Sequence, residues 1–201
     1  DVLEAGLKCI QGKPIARPVS LLRGRAHLRQ EARQVLQYGA ALVVLAQDET
    51  GPALSVAAKV DLCRQAYQVL TEEVGYPPED IIFDPNLVFL CGDPSSHVWN
   101  FIEALAALKE KFPICKTAAC LSDLSASLQD VPEVRRAMQS VFLYHAIDRG
   151  LDMAIINCSN LPLYTAIPTP LLTACEDVIF SRYPDATSRL LQYAGTASPL
   201  S

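Results

Sequence analysis

The stretch EDIIFDPN (79–86) poses the chemical question in this chain. An apolar run, Ile81-Ile82-Phe83, stops at Asp84, Pro85 and Asn86. Such a run reads as a strand buried on both faces, so a carboxylate and an amide at its end need a reason. A carboxylate accepts hydrogen bonds and an amide both donates and accepts, so the pair can hold a polar ligand. The plainer role is to cap the loop that follows. The same kind of ending recurs along the chain. Arg17 and Ser20 close the run from Ile15, Asp48 and Glu49 close ALVVLAQ, Ser122 and Asp123 close ICKTAACL, and Asn157 closes MAII.

These groups act together only if the elements between them bring every strand end to one place. The periodicity predicts strands at 15–21, 41–48, 81–83, 114–121 and 153–158. Between them lie helices at 22–38, 55–74, 97–111 and 132–149, with a helix end at 2–11 ahead and two helices near 168–181 and 185–194 behind. Gly12, Gly39, Gly75 and Gly150 supply stops, and Pro132 suits a first helical turn. Alternating apolar strands and helices mean a parallel α/β protein. A doubly wound sheet would load one switch point with ligand groups and show a glycine-rich loop after its first strand. The segment SLLRGRAHL has neither GxGxxG nor a Walker lysine. All five strand ends are loaded instead, as at the mouth of a (β/α)8 TIM barrel. Such a barrel takes about 250 residues. We therefore expect 1–194 to be the C-terminal portion of one, with only about the last five β/α units present, and 195–201 to be a tail or linker.

Composition narrows the function classes. The 201 residues are 50% hydrophobic and 19% charged, with a net charge of −5. That balance, without a basic stripe among aromatics, speaks against nucleic acid as partner. No apolar run is long enough to span a bilayer, and no signal peptide is visible. The seven cysteines form no CxxC pair. They read as reduced core residues of a cytoplasmic protein, Cys158 included. Three scattered histidines offer no metal site. His145 is expected to make a structural hydrogen bond, His27 and His97 to be exposed, and Trp99 to pack beneath its helix.

The runs EAGLKCIQGKPI, EVGYPPEDIIFDPN, VFLYHAIDRGLDMAIIN and PDATSRLLQYA resemble the pterin-binding (methyltetrahydrofolate) domain of cobalamin-dependent methionine synthase. More loosely, the chain is similar to dihydropteroate synthase and to corrinoid methyltransferases. The resemblance implies a pterin-type barrel that binds 5-methyltetrahydrofolate across its strand ends. It also implies a cobalamin-binding domain of the same polypeptide, whose cob(I)alamin takes the N5 methyl group. Asp84 would face the pterin amino group and ring N–H, a charge-assisted contact of about 1.5–3 kcal/mol. Asn86, Asp48, Ser122 and Asn157 would complete the pterin pocket. Asp123 falls where the family carries an asparagine that manages the N5 proton, and takes the catalytic position.

Other positions depart from the family. Arg17 stands where a pterin-binding asparagine is usual, and a long, permanently charged side chain there would reach across the mouth toward Asp84 or Asp123. Ala119 and Cys120 replace small glycines, Ala126 and Gln129 replace a phenylalanine and an arginine, and Gln47 replaces an apolar aromatic. Asp48, Glu49, Gly51, Asp84, Asn86, Ser122 and Asn157 keep the pattern. Three functions follow as expectations. The first is a methyltransferase domain of methionine synthesis. The second is a non-catalytic barrel scaffold that has lost folate. The third is a related pterin or corrinoid methyltransferase with another substrate.

Overall fold

The computed structural model describes residues 2–88, 97–125, 128 and 131–196, with the side chains of Arg17, Asp123, Ser125 and 193–196 outside that description. A helix α1 (Val2–Lys8) leads into the first strand, β1 (Ile15–Val19). Four further sheet strands follow: β2 (Ala41–Leu45), β3 (Ile81–Asp84), β4 (Lys116–Cys120) and β5 (Met153–Ile155). Between and after them run α2 (Gly24–Leu36), α3 (Val56–Gln68), α4 (His97–Lys111), α5 (Leu121–Ser125), α6 (Pro132–Asp148), α7 (Thr169–Ile179) and α8 (Ala186–Thr196).

The five strands pair in chain order, and every pairing is parallel. This order separates the two candidate architectures. A doubly wound sheet reverses direction at a switch point, whereas a sheet that never reverses keeps its helices on one face and curls. The chain forms a curled, parallel half-barrel of five β/α units.

Side-chain alternation divides the two faces. Leu42, Val44, Ile81, Phe83 and Ala119 point outward into two clusters under the helices. Ala41, Ile82 and Ala118, with Val43 and Met153 beside them, form a smaller cluster on the concave face. That face is covered toward the middle of the sheet and open at its borders, where Ile15 is 57% and Ile155 67% exposed. α4 adds a full outer layer through Phe101, Ile102 and Leu105, and Trp99 meets Phe180, just past the end of α7, edge-on at 5.0 Å.

Several boundaries differ from those read in the sequence, each for a local reason. β2 ends at Leu45, because Gln47–Asp48 and Gly51–Pro52 make a separate antiparallel ladder, turned by Asp48 and by Gly51 at φ 116°. β1 ends at Val19, because the Ser20 hydroxyl caps a 3-10 turn by accepting from the Leu22 amide at 3.3 Å. The 55–74 segment is α-helical only to Gln68, and Val69–Val74 widens to a π-helix before Gly75. LSDLS, read as the end of a strand and a loop, turns at once into α5. α8 takes in Gly195 and Thr196, assigned in the sequence to the tail.

Four burial expectations are corrected. His97 is 8% exposed, because it opens α4 on the face that packs inward. His27 is half-buried, 3.5 Å from Glu31 one helical turn on. Cys158 is exposed, because β5 ends at Ile155 and leaves it in the following loop. Cys9 is exposed too, beyond the end of α1. His145 makes the expected structural contact, 3.2 Å from Oε1 of Glu176 on α7. None of the helices is long and apolar enough to cross a membrane among the described residues.

Candidate functional site

The carboxyl ends of the strands share one side of the sheet because all five run parallel. Asp84 is the last residue of the central strand β3. It lies two residues beyond Ile82 and so on the same concave face, beside Leu45 of β2 in register. Its side chain is 7% exposed. Oδ1 accepts the amide of Asn86 at 2.9 Å, and the Asp84 carbonyl accepts the amide of Ala46 at 2.9 Å. The chain therefore turns sharply after β3, with Asn86 in the left-handed region at φ 60°. Asparagine tolerates that conformation better than other side-chain-bearing residues do.

Ser122 and Asn157 lie farther along the same direction. The ladder that sets Phe83 against Thr117 places Asp84 level with Ala118, which pairs with Met153. Ser122 follows in α5 just past β4, and Asn157 follows just past β5; both are exposed. Asp84 thus forms the buried floor, and Ser122 and Asn157 stand at an open rim. Oδ1 of Asn157 accepts the Ser159 amide at 3.0 Å, which orders the loop after β5.

Asp48 has a different immediate task. Its Oδ1 accepts both the amide and the hydroxyl of Thr50, at 2.9 and 2.6 Å. These bonds hold its carboxyl below the usual range and shape the small ladder beyond β2. Arg17 lies in the middle of β1, where the register with β2 shifts between Ala16 and Val19. Asp123 lies on α5. The side chains of Arg17 and Asp123 fall outside the described residues, as do Ala126 and Gln129 entirely. A cavity of about 260 Å³ opens beside the ends of β1 and β2, lined by Ser20, Arg23, His27, Glu31 and Gln47 among others. It flanks the strand ends without reaching Asp84.

One charged group escaped the reading of strand ends. Lys59 of α3 is fully buried, and its Nζ donates to the carbonyls of Pro85 and Asn86 at 2.6 and 2.7 Å. Burial pulls its ammonium down to about 8, and the nearby Asp84 charge works against that fall. The signal was present in the sequence. Lys59 interrupts the stripe of Val60, Cys63 and Ala66 that buries α3, and a lysine is almost never fully buried without a partner.

The arrangement offers a buried carboxylate, an adjacent amide, and an exposed hydroxyl and an exposed amide just past β4 and β5. Such a set suits a flat, polar heterocycle bearing N–H donors. Among the described residues, no cluster of three or more His, Cys, Asp or Glu side chains is placed to hold a metal ion. A family model described as pterin binding enzyme matches residues 1–157, from α1 to the loop after β5. The matched span covers all five strands and every strand end discussed above. This chain belongs to the pterin-binding enzyme family.

Proposed function

We propose that this chain binds 5-methyltetrahydrofolate and presents its N5 methyl group for transfer within methionine synthesis. The observation that carries this reading is Asp84, a buried carboxylate at the carboxyl end of the central strand of a pterin-family half-barrel. An ionised carboxylate there pairs with the amino group and adjacent ring N–H of a pterin, and burial strengthens both bonds. Asn86 completes the ring contacts, while Asp48, Ser122 and Asn157 close the pocket around it. Four long sequence runs that resemble the methionine synthase folate domain favour the methyl-carrying folate over other pterins.

A reduced corrinoid carried by another domain of the polypeptide would supply the nucleophile. When the N5–methyl bond breaks, the bonding electron pair stays on N5, which must gain a proton or a strong hydrogen bond. Asp123, just past β4, is assigned to that atom. As a carboxylate it accepts from a protonated N5 and favours the cation, where the family's asparagine acts as a neutral group. Arg17 in β1 counts among the pterin-binding positions and brings a permanent positive charge where the family carries an asparagine.

The test is equilibrium binding of 5-methyltetrahydrofolate, followed by pterin fluorescence or absorbance, in the full-length protein with its barrel complete. Micromolar binding that disappears in Asp84→Ala is the expected result. Absence of binding at millimolar ligand rejects the proposal. Arg17→Asn is expected to strengthen binding if the arginine crowds the pocket.

A further inference from the structure

The turn Pro85–Asn86 is built on a buried cation that the folate chemistry itself does not call for. Lys59 stands in the first turns of α3, which Ser55 caps by accepting the Ala58 amide at 3.2 Å. From there its side chain runs inward, with no exposed surface, to two backbone carbonyls in the segment after β3. The Phe101 ring of α4 lies 6.0 Å from the ammonium. Cys63, on the next turn of α3, is buried beside it.

A lysine in such a place is expensive, because desolvating an ammonium costs several kcal/mol. A leucine or methionine would fill the same volume at no electrostatic cost. The compensation lies in the turn. Pro85 and Asn86 have left the strand ladder, and the left-handed conformation of Asn86 is held by its amide bond to Asp84. Buried carbonyls in irregular backbone need donors, and among the described residues it is the Lys59 ammonium that reaches both. One ammonium satisfies both and places a positive charge near Asp84.

We propose that Lys59 is a positioning residue of the pterin site: by gripping the carbonyls of Pro85 and Asn86 it fixes the turn that aims Asp84 and Asn86 at the ligand. Its consequence for ligand binding rests on the pterin reading above; its grip on the turn does not. Lys59 touches no reacting atom. Its effect passes through the backbone of 85–86 and through the Asp84 carboxylate.

The experiment has two arms on the intact protein, with Lys59→Met and Lys59→Gln. In the first, amide hydrogen exchange is followed without ligand. Lys59→Met is expected to speed exchange at Asn86 and Leu87 at least tenfold while Val43 and Val44 of β2 keep their protection. Lys59→Gln, which keeps an N–H donor, recovers part of that protection, and it is the variant to read if the methionine form does not fold. Unchanged exchange at Asn86 and Leu87 overturns the grip, whatever the ligand. In the second arm, the Kd for 5-methyltetrahydrofolate is expected to rise at least tenfold in Lys59→Met, with partial rescue by Lys59→Gln. Equal binding by wild type and variants, alongside faster exchange, overturns the positioning role and leaves the pterin reading standing. A wild-type protein that binds no folate overturns the pterin reading and the positioning role together, while the exchange arm still decides the grip.

Discussion

The Asn86 amide donates to Oδ1 of Asp84 at 2.9 Å, and Asn86 adopts φ 60° to do so. One residue therefore holds the turn and stands beside the carboxylate assigned to the ligand. The two tasks separate by substitution. Asn86→Gly keeps the backbone conformation and should leave stability within about 0.5 kcal/mol, while removing the side-chain contact and weakening folate binding. Asn86→Ala puts a Cβ into the left-handed region and should cost about 1–2 kcal/mol of stability. Urea denaturation set beside folate titration checks both. If glycine and alanine variants bind equally well and match the wild type, Asn86 makes no ligand contact.

Gly150 closes α6 at φ 100°, where a Cβ would lie 2.6 Å from Cγ of Lys109. The lysine stem can move aside, but the backbone conformation lies beyond the usual left-handed basin. Gly150→Ala should cost about 1–3 kcal/mol. Moving Lys109 also disturbs its pairing with Asp152, 2.5 Å away. The loss should therefore be less than additive with Asp152→Asn in a double-mutant cycle. Strict additivity would show that Lys109 is not displaced.

The order of elements was legible in the sequence because it rests on apolar runs and helix stops, which are local. ALVVL becomes β2 and IIFD becomes β3 on hydrophobic pattern alone, and parallel pairing in chain order follows from the helices between them. Asp84 was legible for the same reason, since a carboxylate closing a wholly apolar strand breaks the local pattern. The ends of elements were less legible, because long-range contacts and small polar caps decide them. Asp48 reads as the end of a strand, and its bonds to Thr50, which shape a turn and a separate small ladder, are not visible in the apolar pattern before it. His97 reads as an exposed helix start until the inward face of α4 buries it. Lys59 was less legible, because a charge lodged in the apolar stripe of a helix shows its role only through the distant turn it meets.

Asp152 ties β4 to β5 just before their ladder begins. Oδ2 accepts the Thr117 amide at 2.8 Å and meets Nζ of Lys109, while the Thr117 hydroxyl also reaches it at 3.2 Å. Burial raises the carboxyl pKa, but the Lys109 contact and the Thr117 bonds outweigh it and leave the net shift downward. A carboxyl lowered in the folded state stabilises the protein above its unfolded pKa of about 3.9. That contribution is lost as pH falls through the lower folded value. Asp152→Asn should cost about 1–2 kcal/mol at neutral pH and flatten this part of the acid limb of Tm against pH. An unchanged acid limb in the variant would remove Asp152 from the account.

At alkaline pH the buried thiols and Lys59 pull in opposite directions. Burial pushes Cys115 up to about 11, Cys175 up to about 12 and Cys63 strongly up. An unfolded thiol titrates near 8.5. The stability these groups contribute is therefore complete below about pH 8.5 and is lost as pH rises toward their folded values. Lys59 has the contrary sign. The folded state releases its proton near 8 and the unfolded chain only near 10.4, so stability rises across that window. Cys115 alone offsets Lys59 in size, which leaves Cys63 and Cys175 to set the balance. At pH 10 each of those two thiols removes about 2 kcal/mol, so Tm should fall between pH 7.5 and 10. Cys175 lies in the cluster under α6 and α7, apart from the core that holds Cys63. Cys175→Ala lowers Tm at both pH values through its cavity, but the drop between them should shrink by about a third to a half. An identical drop in wild type and variant would show that this thiol ionises as freely in the folded protein as in the unfolded chain.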